Sequence, residues 1–299
     1  MTAFLPNVFI LGAAKCGTST LYAYLADMPG VCMAEPKEPL FFEAAYEQGL
    51  DYYRTAYFPH WQGEPLIGEA RHRNLYLPYV PERIHATNPD AKLIVMVRNP
   101  IQRAFSHWWY WLRRGVEILG FREAIHADFE RICAGWRVNT ADEIARHCNA
   151  LFPHGQGLYR TYLDSGYYYE QIMRYVDLFG MEQLCILLLE DLRERPEQVM
   201  ADVARFLGVT GWTFRPQMAN ISAPAPVTAR VPGRRIYNGV LNGDRLPTRL
   251  RRLTRAPAVR RWAKRHAIDR ATRQWMRAHY ATHNRRLGDL LNRDLSHWT

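Results

Sequence analysis

The chain has 299 residues, 48% apolar and 23% charged, with a formal net charge of +10. It is long enough to bury one substantial core, and an α/β domain of this length need not be divided. Its five cysteines, Cys16, Cys32, Cys133, Cys148 and Cys185, are odd in number and show no CxxC or Cys/His spacing, which argues against a disulfide framework or zinc site and for a reducing compartment.

The first apolar run, Val8-Phe9-Ile10-Leu11, feeds into Gly12-Ala13-Ala14-Lys15-Cys16-Gly17-Thr18-Ser19-Thr20 and then a helical stretch over 18–27. This reads as strand, phosphate loop and helix. The glycines let successive N–H groups and the positive helix end converge on an anion. The loop nearly fits G-x-x-x-x-G-K-[ST], but Thr18 stands where the lysine belongs and Lys15 has moved inside the loop. Cys16 beside Lys15 is either a thiol of lowered pKa or, more commonly at such positions, a small spacing residue. No basic segment precedes the run, and Gly12 and Lys15 break it, so it reads as neither signal peptide nor membrane span. A cytoplasmic enzyme is expected.

Farther along come a loop through Lys37-Glu38-Pro39, a helical region near 50–57, and a short strand, Leu66-Ile67-Gly68-Glu69, with an acid at its C-terminal end, where parallel sheets place ligands. A helix over 78–87 leads to a buried strand over 92–97. That strand ends in Arg98, where a nucleotide triphosphatase would carry an aspartate for magnesium. A guanidinium there compensates phosphate charge with a protein cation, so no metal is required. Pro100 opens a helix to residue 113, and Ser106 lies one to two turns in, placed to reach the same phosphate as Arg98. Residues 114–160 are mixed, with apolar periodicity over 121–133 and 141–151. A helix over 167–179, a strand over 184–189, a helix over 196–207 and a Pro/Ala-rich loop over 215–233 follow. The last seventy residues read as helical with breaks at Pro247 and Pro257. Strands alternating with helices predict a parallel sheet with right-handed crossovers.

Charge is uneven: residues 230–299 hold 18 of the 39 Lys and Arg but only 4 of the 29 acids. Arg249, Arg251, Arg252, Arg255, Arg260, Arg261, Lys264 and Arg265 alternate with apolar residues at helical spacing. A solvated basic face explains this pattern. Peripheral membrane contact and steering of an acidic substrate are the alternatives; with no nucleic-acid module in view, nucleic acid is not an expected partner.

The loop Lys15 to Leu21 and the stretch Arg98-Asn99-Pro100 through Ser106 together resemble the two nucleotide motifs of the sulfotransferases that use 3′-phosphoadenosine 5′-phosphosulfate (PAPS). Glu35 to Phe42, Gly68-Glu69-Ala70, Gly166-Tyr167, Glu190-Asp191-Leu192, Phe206 to Val209 and the tail Asn284 to Trp298 extend the resemblance along nearly the whole chain, toward bacterial members and the heparan-sulfate branch. The resemblance implies a single domain over 1–299: a P-loop-like three-layer α/β sandwich around a parallel sheet. A helical insertion is expected at about 107–165 and a basic helical C-terminal region at about 234–299.

It also implies sulfuryl transfer from PAPS to a hydroxyl or amino group of a small-molecule acceptor, such as a natural product. Lys15 is expected to act at the bridging oxygen. Cys16, Gly17, Thr18, Ser19 and Thr20 are expected to bind the 5′-phosphate, Arg98 and Ser106 the 3′-phosphate, and Tyr167 and Arg234 to complete the cofactor contacts. Lys37 is a candidate second cation. Glu69 is the candidate base. The segment after it, Ala70-Arg71-His72-Arg73-Asn74, departs from the family's Ser/Thr-Pro pattern, so His72 competes for the base role and Arg71 or Arg73 for an anionic acceptor. His107 and His126 rank below. Trp108, Trp109, Tyr110, Trp111, Tyr46, Tyr52 and Tyr53 could line an acceptor pocket, with Arg113 and Arg114 following, although most aromatics at helical spacing are core. Two other readings stand beside this one: a nucleoside or small-molecule kinase with a degenerate loop, and a non-catalytic nucleotide-binding module.

Overall fold

A computed structural model describes residues 3–113, 116–135, 143, 160–214 and 268–298. At its centre are five parallel strands, β1 (Val8–Gly12), β2 (Val31–Met33), β3 (Leu66–Ala70), β4 (Lys92–Val97) and β5 (Leu184–Leu188), in the order β2-β3-β1-β4-β5. Every pairing is parallel. The central strands carry unbroken apolar runs because both faces are covered: Val8 to Leu11 and Leu93 to Val97 are fully buried. Edge strand β2 is absent from the sequence reading. At three residues it is too short to show a period.

Among the described residues ten α-helices follow from the connections: α1 (Thr18–Ala26), α2 (Gly49–Tyr57), α3 (His72–Tyr76), α4 (Val80–Thr87), α5 (Pro100–Arg113), α6 (Phe121–Cys133), α7 (Tyr168–Phe179), α8 (Leu189–Glu194), α9 (Pro196–Leu207) and α10 (Arg270–Leu291). The short α3 and α8 are also additions to the sequence reading, and the strand expected over 184–189 gives up Leu189 to α8. The chain leaves β1 toward β2 and crosses in the opposite sense from β3 to β4. Right-handed crossovers therefore put α1 on one face and α4 and α7 on the other. Tyr24 on α1 meets Phe214, just beyond α9, with ring centroids 4.8 Å apart, which joins that segment to the α1 layer. His85 on α4 meets Phe179 on α7 at 5.0 Å in the opposite layer. The result is the expected three-layer α/β arrangement. The loops after β1 and β4 meet at the crevice where the connections diverge, the usual ligand position in such sheets.

A second apolar cluster lies beside the sheet. It joins Trp108 of α5, Phe121 and Ile125 of α6, Tyr162 and Leu163, and Met276 and Tyr280 of α10. Tyr280 Oη donates to the Leu163 carbonyl at 2.8 Å, and Asn99 Nδ2 donates to the Trp298 carbonyl at 3.1 Å, tying the C-terminal segment across the start of α5. Residues 141–151 apart from 143, the loop over 215–233, the breaks at Pro247 and Pro257, the basic run over 249–265, Arg114 and Arg234 lie outside the described residues.

Candidate active site

The loop after β1 is shaped by backbone conformation. Gly17 caps α1 in the left-handed region at φ 91°, and a Cβ there would lie 2.7 Å from Leu189 Cδ1. Gly12, at φ 153°, leaves room for α3: its Cβ would meet both the His72 carbonyl oxygen and Leu75 Cβ at 2.9 Å. Lys15 itself is left-handed at φ 67°. No side chain caps α1 and no acid lies in its first turn, so its positive end is left for an anion. The Lys15 ammonium sits 4.5 Å from the centre of the Tyr110 ring on α5, which brings it between the loop and that helix.

Arg98, at the end of β4, reaches back to the loop. Its Nη1 donates to the Lys15 carbonyl at 3.1 Å and its Nη2 to Gln102 Oε1 at 3.1 Å, while Nε is buried with no hydrogen-bond partner. Burial lowers the pKa of this guanidinium, a cost that a bound anion would offset. Asn99 Oδ1 accepts from the N–H groups of Ile101 and Gln102 at 3.0 and 3.2 Å, fixing the start of α5 and the position of Ser106.

These parts face one cavity of about 820 Å³. Lys15, Gly17, Thr18, Ser19, Thr20, Arg98 and Ser106 line it, together with His72, Arg71 and Arg73 from the β3 end and Tyr110 and Trp111 from α5. Arg193 of α8 also lines it, a cation the sequence reading passed over although it directly follows Glu190-Asp191-Leu192. Among the described lining residues are five Lys or Arg side chains and one carboxylate, that of Glu38. An oxyanion-rich ligand fits this wall: the loop offers N–H groups, the Arg98 Nε lacks a partner, and cations outnumber acids.

Several expected residues are elsewhere. Cys16 is fully buried on the core side, with Sγ 3.6 Å from Tyr168 Oη, and burial pushes its thiol up to about 11, the opposite of an activated cysteine. Tyr167 does not line the cavity; its hydroxyl pairs with His279 Nε2 at 2.8 Å and its ring stacks on His283. Its neighbour Tyr168 is the residue tied to the site, donating to the Arg98 carbonyl at 3.0 Å. Lys37 is turned to Glu38 at 2.7 Å. Trp108 and Tyr53 are core, Tyr46 and Tyr52 pack against that core, and Trp109 stacks on Phe105. His126 packs on Trp275. His107 does line the cavity. Its Nε2 accepts from Trp111 Nε1 at 3.0 Å, and burial together with Arg103 keeps the ring neutral, its pKa well below the usual imidazole range.

The acid at the end of β3 is the largest departure. Glu69 is 1% exposed and absent from the cavity wall; Tyr53 Oη and Asn74 Nδ2 donate to its two oxygens. Burial raises its pKa to about 7. Arg71 and Arg73 are not free for an anionic acceptor either. Both bind the buried carboxylate of Glu43, Arg71 through Nε at 2.9 Å and Arg73 through Nη1 at 2.6 Å. His72 reaches the cavity with Nδ1 2.6 Å from Glu38 Oε2.

Comparison with known proteins places this geometry. Residues 5–222 match the family model described as sulfotransferase domain. A solved sulfotransferase from Alicyclobacillus acidocaldarius is 28% identical and superposes with a TM-score of 0.66 over 99% of each chain. The membrane-associated sulfotransferase kil1 of Dictyostelium discoideum is 24% identical over 265 residues, 69% of this chain and 56% of that protein. The human heparan sulfate glucosamine 3-O-sulfotransferase 6 is 38% identical over 117 residues, 39% of this chain and 34% of that protein. The chain thus spans about half or less of the curated relatives it matches. With a family model covering most of its length and a solved sulfotransferase matching it end to end, the chain belongs to the sulfotransferase domain family.

Proposed function

We propose that the cavity is a sulfuryl-transfer site with PAPS as donor and a hydroxyl or amino group of a small molecule, natural products included, as acceptor. The observation that carries this reading is the meeting of Lys15, the α1 amino end, Arg98 and Ser106 on one cavity whose described wall holds a single carboxylate. When bound, the donor supplies a sulfuryl group already activated by its phosphate leaving group. The N–H groups of Gly17 to Thr20 and the hydroxyls of Thr18, Ser19 and Thr20 hold the 5′-phosphate. Lys15 provides positive charge where the leaving oxygen becomes anionic. Arg98 and Ser106 grip the 3′-phosphate and so exclude ATP, with Arg193 adding charge to the same wall. Arg234, outside the described residues, remains a proposed contact.

On the acceptor side, Tyr76, Tyr110 and Trp111 offer apolar faces beside the polar groups of Thr161, Ser165 and Gln171. The kinase reading lacks the acid that would hold magnesium at the end of β4, because Arg98 occupies that position. No described helix is long and apolar enough to cross a membrane. The free thiols of Cys16, Cys32, Cys133 and Cys185 support a cytoplasmic setting.

Calorimetry with adenosine 3′,5′-bisphosphate tests the donor site. Replacing Arg98 by Ala is expected to weaken binding by about 10- to 100-fold, the value of a charged hydrogen-bonded contact. Unchanged affinity removes Arg98 from the site. Retained cofactor binding with no turnover on any acceptor would favour the non-catalytic module.

A further inference from the structure

We propose that the segment after α10, residues 293–298, is a strap that positions Arg98 and Arg193, the cations assigned above to the 3′-phosphate wall, with Trp298 and Arg293 as its positioning residues. This rests on the donor-site reading and goes beyond it, because neither Trp298 nor Arg293 lines the cavity.

The strap begins with a forced reversal of the chain. Asn292 ends α10 in the left-handed region at φ 49°, and the Arg293 N–H returns to the Gly288 carbonyl at 2.9 Å. A Cβ on Gly288 would lie 2.8 Å from the Arg293 carbonyl oxygen, so this return path needs glycine there. The residues that follow run back onto the body of the protein, where Leu295 and Trp298 are buried in the main core.

Two contacts join the strap to the cavity wall from behind. The first is centred on Asn99, which directly follows Arg98. Asn99 Nδ2 donates to the Trp298 carbonyl at 3.1 Å, while its Oδ1 holds the N–H groups of Ile101 and Gln102. Gln102 in turn accepts from Arg98 Nη2. The Trp298 ring also packs edge-on against Tyr168, with centroids 6.3 Å apart, and Tyr168 Oη donates to the Arg98 carbonyl. Arg98 is therefore held through its carbonyl, its chain neighbour and its side-chain partner, and all three routes lead to Trp298.

The second contact is a fork. Arg293 Nη1 donates to Asp191 Oδ2 and its Nη2 to Asp191 Oδ1 at 3.2 Å. Asp191 lies on α8 two residues before Arg193, whose side chain lines the cavity. A helix of six residues has little stability of its own, so its direction depends on such tertiary contacts. Glu190, also on α8, closes the circuit by accepting from the Asn99 N–H at 3.4 Å.

The wall needs this support because its cations repel each other. Burial, and more weakly Arg193, lowers the Arg98 pKa. Packing alone does not account for the junction, since Trp298 Nε1 and Glu190 Oε2 are both buried there without a hydrogen-bond partner, an arrangement that costs stability. The 5′-phosphate groups sit on the loop and the first turn of α1, which β1 and α1 aim. Loss of the strap should therefore weaken the hold on the 3′-phosphate selectively.

The test is calorimetry on the full chain with adenosine 3′,5′-bisphosphate, adenosine 3′-monophosphate and adenosine 5′-monophosphate. Trp298→Ala is expected to weaken both 3′-phosphate ligands by about 10-fold or more, and Trp298→Phe to restore most of the loss. Arg293→Ala, at an exposed position that leaves the core intact, is expected to weaken them by about 3- to 10-fold. Asp191→Asn removes a negative charge, which by electrostatics alone would strengthen phosphate binding; here it is expected to weaken both ligands by about 3-fold. Affinity for the 5′-monophosphate stays within about two-fold in every variant. A loss shared equally by all three ligands, unchanged binding in Arg293→Ala, or tighter binding in Asp191→Asn overturns the proposal. Amide hydrogen exchange on the ligand-free chain gives a second reading: α8 is expected to exchange about 10-fold faster in Arg293→Ala, and unchanged exchange overturns the proposal. Failure of the unaltered chain to bind the bisphosphate counts instead against the donor reading, and the exchange measurement still decides whether the strap holds α8.

Discussion

The two sides of the cavity are built by different means. The donor side, from Gly12 to Thr20 and from Arg98 to Ser106, is made of strand ends, a loop and helix starts, so local backbone geometry aims its groups. The β3 side is a lattice of buried ion pairs, Arg71 and Arg73 on Glu43, joining residues 28 and 30 positions apart. A backbone cradle tolerates loss of a side chain with its shape intact, whereas a buried ion lattice that loses one member leaves a charge uncompensated. Substitutions on the first side should therefore change chemistry, and those on the second should change stability.

Glu43→Gln tests that contrast with the largest expected effect. Removing the carboxylate from Arg71 and Arg73 should cost about 3–5 kcal/mol of unfolding free energy in urea, while bisphosphate affinity stays near that of the unaltered chain. Burial works against the charged form of Glu43, but Arg73 and Arg71 outweigh it and lower its pKa. Its contribution is therefore complete above the unfolded value of about 4.5 and lost as pH falls through the folded pKa, so variant and parent should converge in acid. Lys15→Ala should do the reverse. Turnover should fall by about 100- to 1,000-fold, or 3–4 kcal/mol, with stability changed by less than about 1 kcal/mol. Equal stability losses for the two variants would erase the distinction.

Glu69→Gln sharpens it. Because the folded pKa, about 7, lies above the ordinary 4.5, ionisation of Glu69 works against folding as pH rises between those values. The variant should gain relative to the parent across that window, by at most about 3 kcal/mol. A dead but well-folded Glu69→Gln would support the expected base role of the carboxylate, and full activity would remove it.

The same contrast explains what the sequence revealed. Val8 to Thr20 and Lys92 to Ser106 announce strand, loop and helix through contiguous apolar runs, glycines and a proline, and their spacing brought Lys15, Arg98 and Ser106 together on paper as they meet in the fold. A strand end shows no facing in sequence: Glu69 lies one residue inside the end of β3, where Tyr53 of α2 covers it, whereas Arg71 to Arg73, beyond the strand, reach the cavity. Glu38 and Glu43 carried no local signal, since their partners come from a different strand end. Tyr167, in the non-helical turn before α7, stacks on a histidine, whereas Tyr168, the first residue of α7, reaches the Arg98 carbonyl. Arg193 sat beside a noted segment, on a helix too short to read from periodicity.

On the proposed function, one cavity holds an adenosine phosphate by both ends through side-chain cations and backbone N–H groups. Calorimetry in EDTA, comparing adenosine 3′,5′-bisphosphate with adenosine 5′-monophosphate and adenosine 3′-monophosphate, tests it most directly. The bisphosphate is expected to bind about 10- to 100-fold more tightly than either monophosphate, each phosphate adding the charged contacts of its own site. Equal affinity for all three, or binding only when magnesium is restored, would contradict it.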